Sequence, residues 1–167
     1  MSIFSTAYSA VNINITTSDK VRLGAWFVVS DSYYQHVSKL KGRRPNKPLS
    51  LAELTIAMGR HPTVLFFHGN GANRAIRYRV SLYRQLSGRL GANVLAIDYR
   101  GFGNSDGTPT EVGLAKDANA GWDWLITYGA TPSSILIMGH SLGTSVATML
   151  ASDLSGRGMP IRQNHGR

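Results

Sequence analysis

The sequence contains no cysteine. That excludes a disulfide framework and any thiolate metal site. It holds no apolar run of transmembrane length, and Met1-Ser2-Ile3-Phe4-Ser5 lacks the basic and apolar regions of a signal peptide. As written, the chain is expected to be uncleaved, soluble and cytoplasmic. Acidic residues are scarce, with 9 Asp and Glu against 18 Lys and Arg and a net charge of +9. Such an excess raises nucleic acid or a membrane surface as partner. No basic-aromatic RNA module and no zinc-finger spacing accompanies it. One basic cluster (Lys39, Lys41, Arg43, Arg44, Lys47) lies in a Gly/Pro-containing stretch, and a second (Arg74, Arg77, Arg79, Arg84, Arg89) runs along a predicted helix. Solvated basic faces are expected, with no nucleic-acid partner and only weak contact with anionic lipid headgroups. A Walker A sequence is also missing. Gly69-Asn70-Gly71 could cradle a phosphate, but the dinucleotide fingerprint needs a third glycine where Arg74 stands. A nucleotide-binding domain is therefore the least favoured reading, and neither cofactor nor metal is expected.

What is present suits one α/β domain. The 167 residues are 43% hydrophobic, enough for a single core. Val11–Ile15 and Val21–Leu23 alternate apolar with polar residues and predict an antiparallel pair turning at Ser18-Asp19. Thr63–Phe67, Asn93–Ile97 and Ser134–Met138 are short apolar runs that suit buried parallel strands. Helical patterns alternate with them. One runs from about Asn73 to Leu90, with Ile76, Val80, Tyr83, Leu86 and Leu90 as its stripe and Gly91 at the left-handed end. Thr108-Pro109-Thr110-Glu111 reads as a capping box opening the next, which carries Ala115, Ala118, Trp122, Leu125 and Ile126. Residues 31–60 read as loop-rich, with a short helix starting near Pro48–Glu53. Residues 1–155 form the domain, and 156–167 read as an irregular basic tail. Alternating strands and helices imply a mainly parallel sheet.

The residues that suggest chemistry begin with Gly139-His140-Ser141-Leu142-Gly143. This Gly-x-Ser-x-Gly follows an apolar strand and precedes the helical series Val146, Ala147, Met149, Leu150, Leu154. A serine in such a strand-to-helix turn is held in a strained conformation that exposes its Oγ, and the flanking glycines avoid clashes with neighbouring backbone. Ser141 is thus a candidate nucleophile. A serine attacking an ester generates an oxyanion, which needs preorganised N–H donors. One would be Leu142 N–H. The other falls in His68-Gly69-Asn70-Gly71, with Asn70 favoured and Gly71 second. Three roles are open to His68: general base, metal ligand, or holding this loop through its side chain. The last fits its position best, because partners for a metal are absent. His140, inside the elbow, is read as pointing away from the nucleophile and packing.

Three ordered motifs, Phe66–Gly71, Asp98-Tyr99-Arg100-Gly101-Phe102-Gly103-Asn104-Ser105 and Gly139–Gly143, resemble those of the α/β-hydrolase superfamily. The run Ile97–Thr110, the helix start Arg77–Tyr83 and Gly143–Thr148 are similar to the branch of lysophosphatidylserine and monoacylglycerol lipases. The likeness covers about residues 10–155. It implies an α/β-hydrolase fold and hydrolysis of acylglycerol or lysophospholipid esters through an acylated Ser141. In that superfamily an acid and then a histidine follow the serine. Here only Asp153 and His165 do, the first within the predicted helix and the second in the tail, and neither suits the role. The resemblance therefore implies the N-terminal part of a hydrolase, C-terminally truncated and inactive as this chain. It further implies that the strand before Ser141 carries an unpaired apolar edge. A non-catalytic, hydrolase-like binding or regulatory protein is the alternative.

Overall fold

The computed structural model describes residues 9–40 and 49–159. Chain order is β1 (Ala10–Thr16), β2 (Arg22–Val28), α1 (Asp31–Leu40), α2 (Leu51–Arg60), β3 (Thr63–Phe67), α3 (Arg77–Arg89), β4 (Asn93–Ile97), α4 (Glu111–Thr127), β5 (Ile135–Gly139) and α5 (Leu142–Gly156). The sheet order is β1-β2-β4-β3-β5. β1 pairs antiparallel with β2 and β2 with β4, while β3 runs parallel to both β4 and β5. Phe67 lies in register with Ile97 on one side and Gly139 on the other. The three parallel strands therefore end together, at the sheet edge where open α/β folds hold their ligands.

The two-residue period of the strands divides the core. Leu65, Phe67, Leu95 and Ile97 point to the larger cluster, which holds Trp122 and Leu125 of α4 and Val146, Leu150 and Leu154 of α5. Val64, Phe66, Val94 and Ala96 point to the opposite cluster with Tyr83 and Leu86 of α3. β3 and β4 are buried along their whole length, as their unbroken apolar runs imply. Among the described residues β5 pairs only with β3, and Leu136 is 52% exposed. No helix among the described residues is long and apolar enough to cross a membrane.

Several expectations need correction. Residues 31–60 are not loop-rich where described: they form α1 and α2. α1 is seated by Tyr33 and Val37, and α2 is closed by a capping box in which Ser50 and Glu53 bond reciprocally. α4 begins two residues later than expected, because Thr110 rather than Thr108 is the cap and its Oγ1 accepts from Gly113 N–H at 3.0 Å. α3 starts at Arg77, four residues after Asn73, and its stripe is rotated: Leu90 is 69% exposed while Arg79 is buried. Arg74 is buried as well, so two of the five arginines expected on a solvated face are not there. The tail from Pro160 and the loop cluster Lys41–Lys47 lie outside the described residues. Gly156, assigned to the tail, is the last residue of α5.

Candidate active site

β5 ends at Gly139, and the chain reverses through His140 and Ser141 into α5. The turn is tight enough that side chains are excluded on both sides of the serine. A Cβ on Gly139 would lie 2.2 Å from Gly143 O, and one on Gly143 would lie 2.0 Å from Phe67 O. His140 N–H donates to Phe67 O at 3.0 Å, tying the elbow to β3. Ser141 takes φ 54 and ψ −120, a region that non-glycine residues occupy only when the surroundings force it. Its side chain is exposed and makes no hydrogen bond among the described residues. The N–H groups of Gly143 and Thr144 are used within the turn, donating to His140 O and Ser141 O. Leu142 N–H has no acceptor among the described residues and opens the N-terminus of α5, where aligned peptide dipoles favour negative charge.

The second loop follows β3. Gly69 is pressed against the elbow: a Cβ there would lie 3.2 Å from Ser141 Cβ and 2.9 Å from His140 Nδ1. Asn70, Gly71 and Ala72 are exposed, with positive φ at Gly71 and Ala72. Gly71 N–H is occupied by Asn70 Oδ1 at 2.9 Å. Asn70 N–H has no acceptor among the described residues. The His140 ring is exposed and meets Tyr78 edge-on at 6.1 Å.

His68 faces inward. It is fully buried, its Nδ1 lies 2.8 Å from Gly69 O, and its Nε2 lies 3.2 Å from Asp98 Oδ1. That approach to Asp98 is close enough for ion pairing but lacks hydrogen-bond alignment. The Tyr99 hydroxyl, whose ionisation is pushed up by burial, donates to His68 O at 2.8 Å. Asp98 also accepts from the Arg74 backbone N–H at 2.6 Å and from Arg74 Nη1. Arg74 Nη1 donates to Asn104 Oδ1 at 2.8 Å as well. Gly103, at φ 56, leaves the space for this carboxylate, since a Cβ on it would lie 1.9 Å from Asp98 Oδ2. The turn Arg100–Ser105 thus holds the loop at His68 from below.

The elbow residues and His68–Gly71, expected from sequence, come together. Asp153 does not join them: it lies three turns along α5 and pairs with Arg157 at 2.6 Å. His165 lies outside the described residues. Sequence reasoning missed Asp98, Arg74 and Arg79. A signal existed for Arg79, a cation four residues before the buried Tyr83 on the core-facing side of α3. Among the described residues no cluster of three or more His, Asp or Glu could hold a metal ion.

A family model described as the alpha/beta hydrolase family matches residues 64–163, more than half of the chain. The chain belongs to this family. The hydrolase chain is 34% identical over 149 residues to a lysophosphatidylserine lipase, ABHD12, of Danio rerio, covering 89% of itself and 36% of that protein. It is 37% identical over 152 residues to human protein ABHD12B, covering 90% and 39%. It therefore spans little more than a third of the length of these curated relatives. Among solved structures, the Pyrococcus furiosus esterase Pf2001 is 28% identical, with TM-score 0.56 over 83% of this chain and 45% of that one. An alpha-beta hydrolase from Vibrio vulnificus is 25% identical, with TM-score 0.65 over 92% and 43%. The hydrolase chain thus forms part of the family's mixed, mostly parallel sheet with flanking helices.

Proposed function

We propose that this chain carries the nucleophile half of a serine hydrolase acting on carboxylic esters of glycerol or of lysophospholipids. Ser141 Oγ attacks the acyl carbonyl, and the oxyanion is received by Leu142 N–H and Asn70 N–H. The observation that carries this reading is the pair of acceptor-free N–H groups flanking a serine held at positive φ. Asn70 is favoured over Gly71 because the Gly71 N–H is already spent on Asn70 Oδ1. The lipase and esterase names of the relatives supply the ester class and, from ABHD12, the lysophospholipid headgroup. The serine needs a base, and the base an orienting carboxylate. His68 is committed to Gly69 O and Asp98, and Asp153 to Arg157, so neither serves. The 167-residue chain by itself is therefore proposed not to turn over.

A fluorophosphonate probe is expected to label Ser141 in a longer product that supplies acid and histidine. An unlabelled product of that kind counts against the hydrolase reading. For the 167-residue chain, hydrolysis of a short-chain p-nitrophenyl ester should stay at background. Robust hydrolysis abolished by Ser141→Ala would overturn the proposed inactivity. The engagement of both His68 and Asp153 elsewhere favours a second reading, a non-catalytic binding role, which ester binding without turnover in the longer product would support.

A further inference from the structure

Arg79 is 1% exposed, yet no carboxylate pairs with it among the described residues. Its guanidinium is instead spread over three main-chain carbonyls of one loop. Nη1 donates to Asn73 O at 2.7 Å, and Nη2 donates to Gly69 O at 3.0 Å and Gly71 O at 3.2 Å. Nε has no partner among the described residues, and the guanidinium carbon lies 5.4 Å from the Tyr78 ring centre. Burying a cation without a counter-charge is expensive, and an apolar side chain of similar length would fill α3's core face at lower cost. A planar fork with donors on two arms is what such a set of carbonyls requires, and an ammonium does not supply it.

The carbonyls so held determine where the N–H groups point. A trans peptide places its C=O and N–H on opposite sides, and no peptide of the described chain is cis. Gly69 C=O belongs to the same peptide plane as Asn70 N–H. Holding Gly69 O inward, by Arg79 Nη2 at 3.0 Å with His68 Nδ1 at 2.8 Å, therefore turns Asn70 N–H outward. Asn70 is exposed, and Gly69 abuts Ser141 Cβ and the His140 carbonyl oxygen. Resting on the hydrolase reading of this site, we propose that Arg79 is a positioning residue that aims the Asn70 N–H at the oxyanion formed on Ser141. It touches no substrate. It fixes the rotation of one peptide plane from the buried side and draws electron density from the carbonyl, which makes the N–H on the other side a stronger donor.

The test uses the 167-residue chain with two readouts. The first is the 13C′ resonance of Gly69 and Gly71 in the labelled protein, which reports whether each carbonyl is held. In Arg79→Met both should move upfield, in Arg79→Lys by less, and in the surface variant Arg89→Met not at all. Unmoved Gly69 and Gly71 resonances in Arg79→Met would overturn the proposal. Should Arg79→Met fail to fold, Arg79→Lys decides on the same resonances, because the cation stays and only the fork is lost. The second is phosphonylation of Ser141 by a fluorophosphonate, followed by mass spectrometry with imidazole added as external base. A misaimed donor should slow it roughly ten- to a hundredfold in Arg79→Met, less than the hundred- to thousandfold cost of losing an oxyanion donor outright. An unchanged rate with shifted carbonyl resonances would also sink the positioning role. If the parent chain is not phosphonylated, the same rate comparison is made in the longer product that supplies acid and histidine; absence of labelling there speaks against the hydrolase reading alone, since the resonance measurement needs no reaction.

Discussion

Gly143 lies so close to Phe67 that a Cβ on the glycine would sit 2.0 Å from the Phe67 carbonyl oxygen. The Cβ position is fixed by the backbone at the start of α5 and the oxygen is main chain at the end of β3, so neither can swing aside. Gly143→Ala should destabilise the chain by about 3 kcal/mol, the upper end of typical overpacking costs. Gly156→Ala on the same helix meets nothing within 4 Å and should be neutral or stabilising by up to about 1 kcal/mol. Urea denaturation of both variants checks the contrast. Equal midpoints would show that α5 does not press on β3 as described.

The elbow strain at Ser141 has its own signature. Glycine accepts φ 54 without a Cβ penalty, so Ser141→Gly should gain about 1 kcal/mol even after its larger unfolded-state entropy is counted. Ser141→Ala keeps the strain and should stay within about 0.5 kcal/mol of the parent. Thermal denaturation separates the two. If the glycine variant is no more stable than the alanine variant, the conformation is not strained.

Asn93 ties three segments at the start of β4. Its Oδ1 accepts from Ser30 N–H at 3.0 Å, and Nδ2 donates to Ala57 O at 3.1 Å, His61 O at 3.3 Å and Thr63 Oγ1 at 3.2 Å. The residue is fully buried, so Asn93→Ala leaves these groups without solvent as a substitute and should cost on the order of 3 kcal/mol. Asn93→Asp replaces the donor with an oxygen facing three oxygens and should cost at least as much. An Asp variant as stable as the parent would contradict the assigned amide orientation.

Asp19 gives the fold an acid-side weakness. Hydrogen bonds from Arg100 and Thr17 hold its carboxyl well below its ordinary value of 3.8. A depressed folded pKa contributes stability that is present above the ordinary value and is lost as pH falls through the folded one. Melting temperature should therefore fall more steeply below pH 3.8 in the parent than in Asp19→Asn, with the two curves parallel at neutral pH. Curves that stay parallel into acid would show that the Asp19 pairing is not formed.

The readable features were those carried by local pattern. Five strands, the buried pair β3 and β4, and the elbow sequence followed from apolar runs and glycine spacing. The helix boundaries were less legible. Thr108 and Thr110 are both good caps, and only the packing of α4 selects Thr110. The stretch 31–60 contains glycine, proline and lysine in its middle, which obscured the two helices on either side. The arginines looked alike in sequence, and nothing local distinguishes Arg77, which is exposed, from Arg79, which is buried.

The sequence by itself determined the order of three motifs and the serine between two glycines. Those properties reside in neighbouring residues, where backbone geometry restricts the choice of side chain. Only the tertiary structure decided that Asp98 holds His68 and Arg74. It alone decided that Arg79 grips Gly69 and Gly71 from beneath. A buried charge chooses its partner by what the fold brings within 3 Å, and a linear pattern carries no record of that distance.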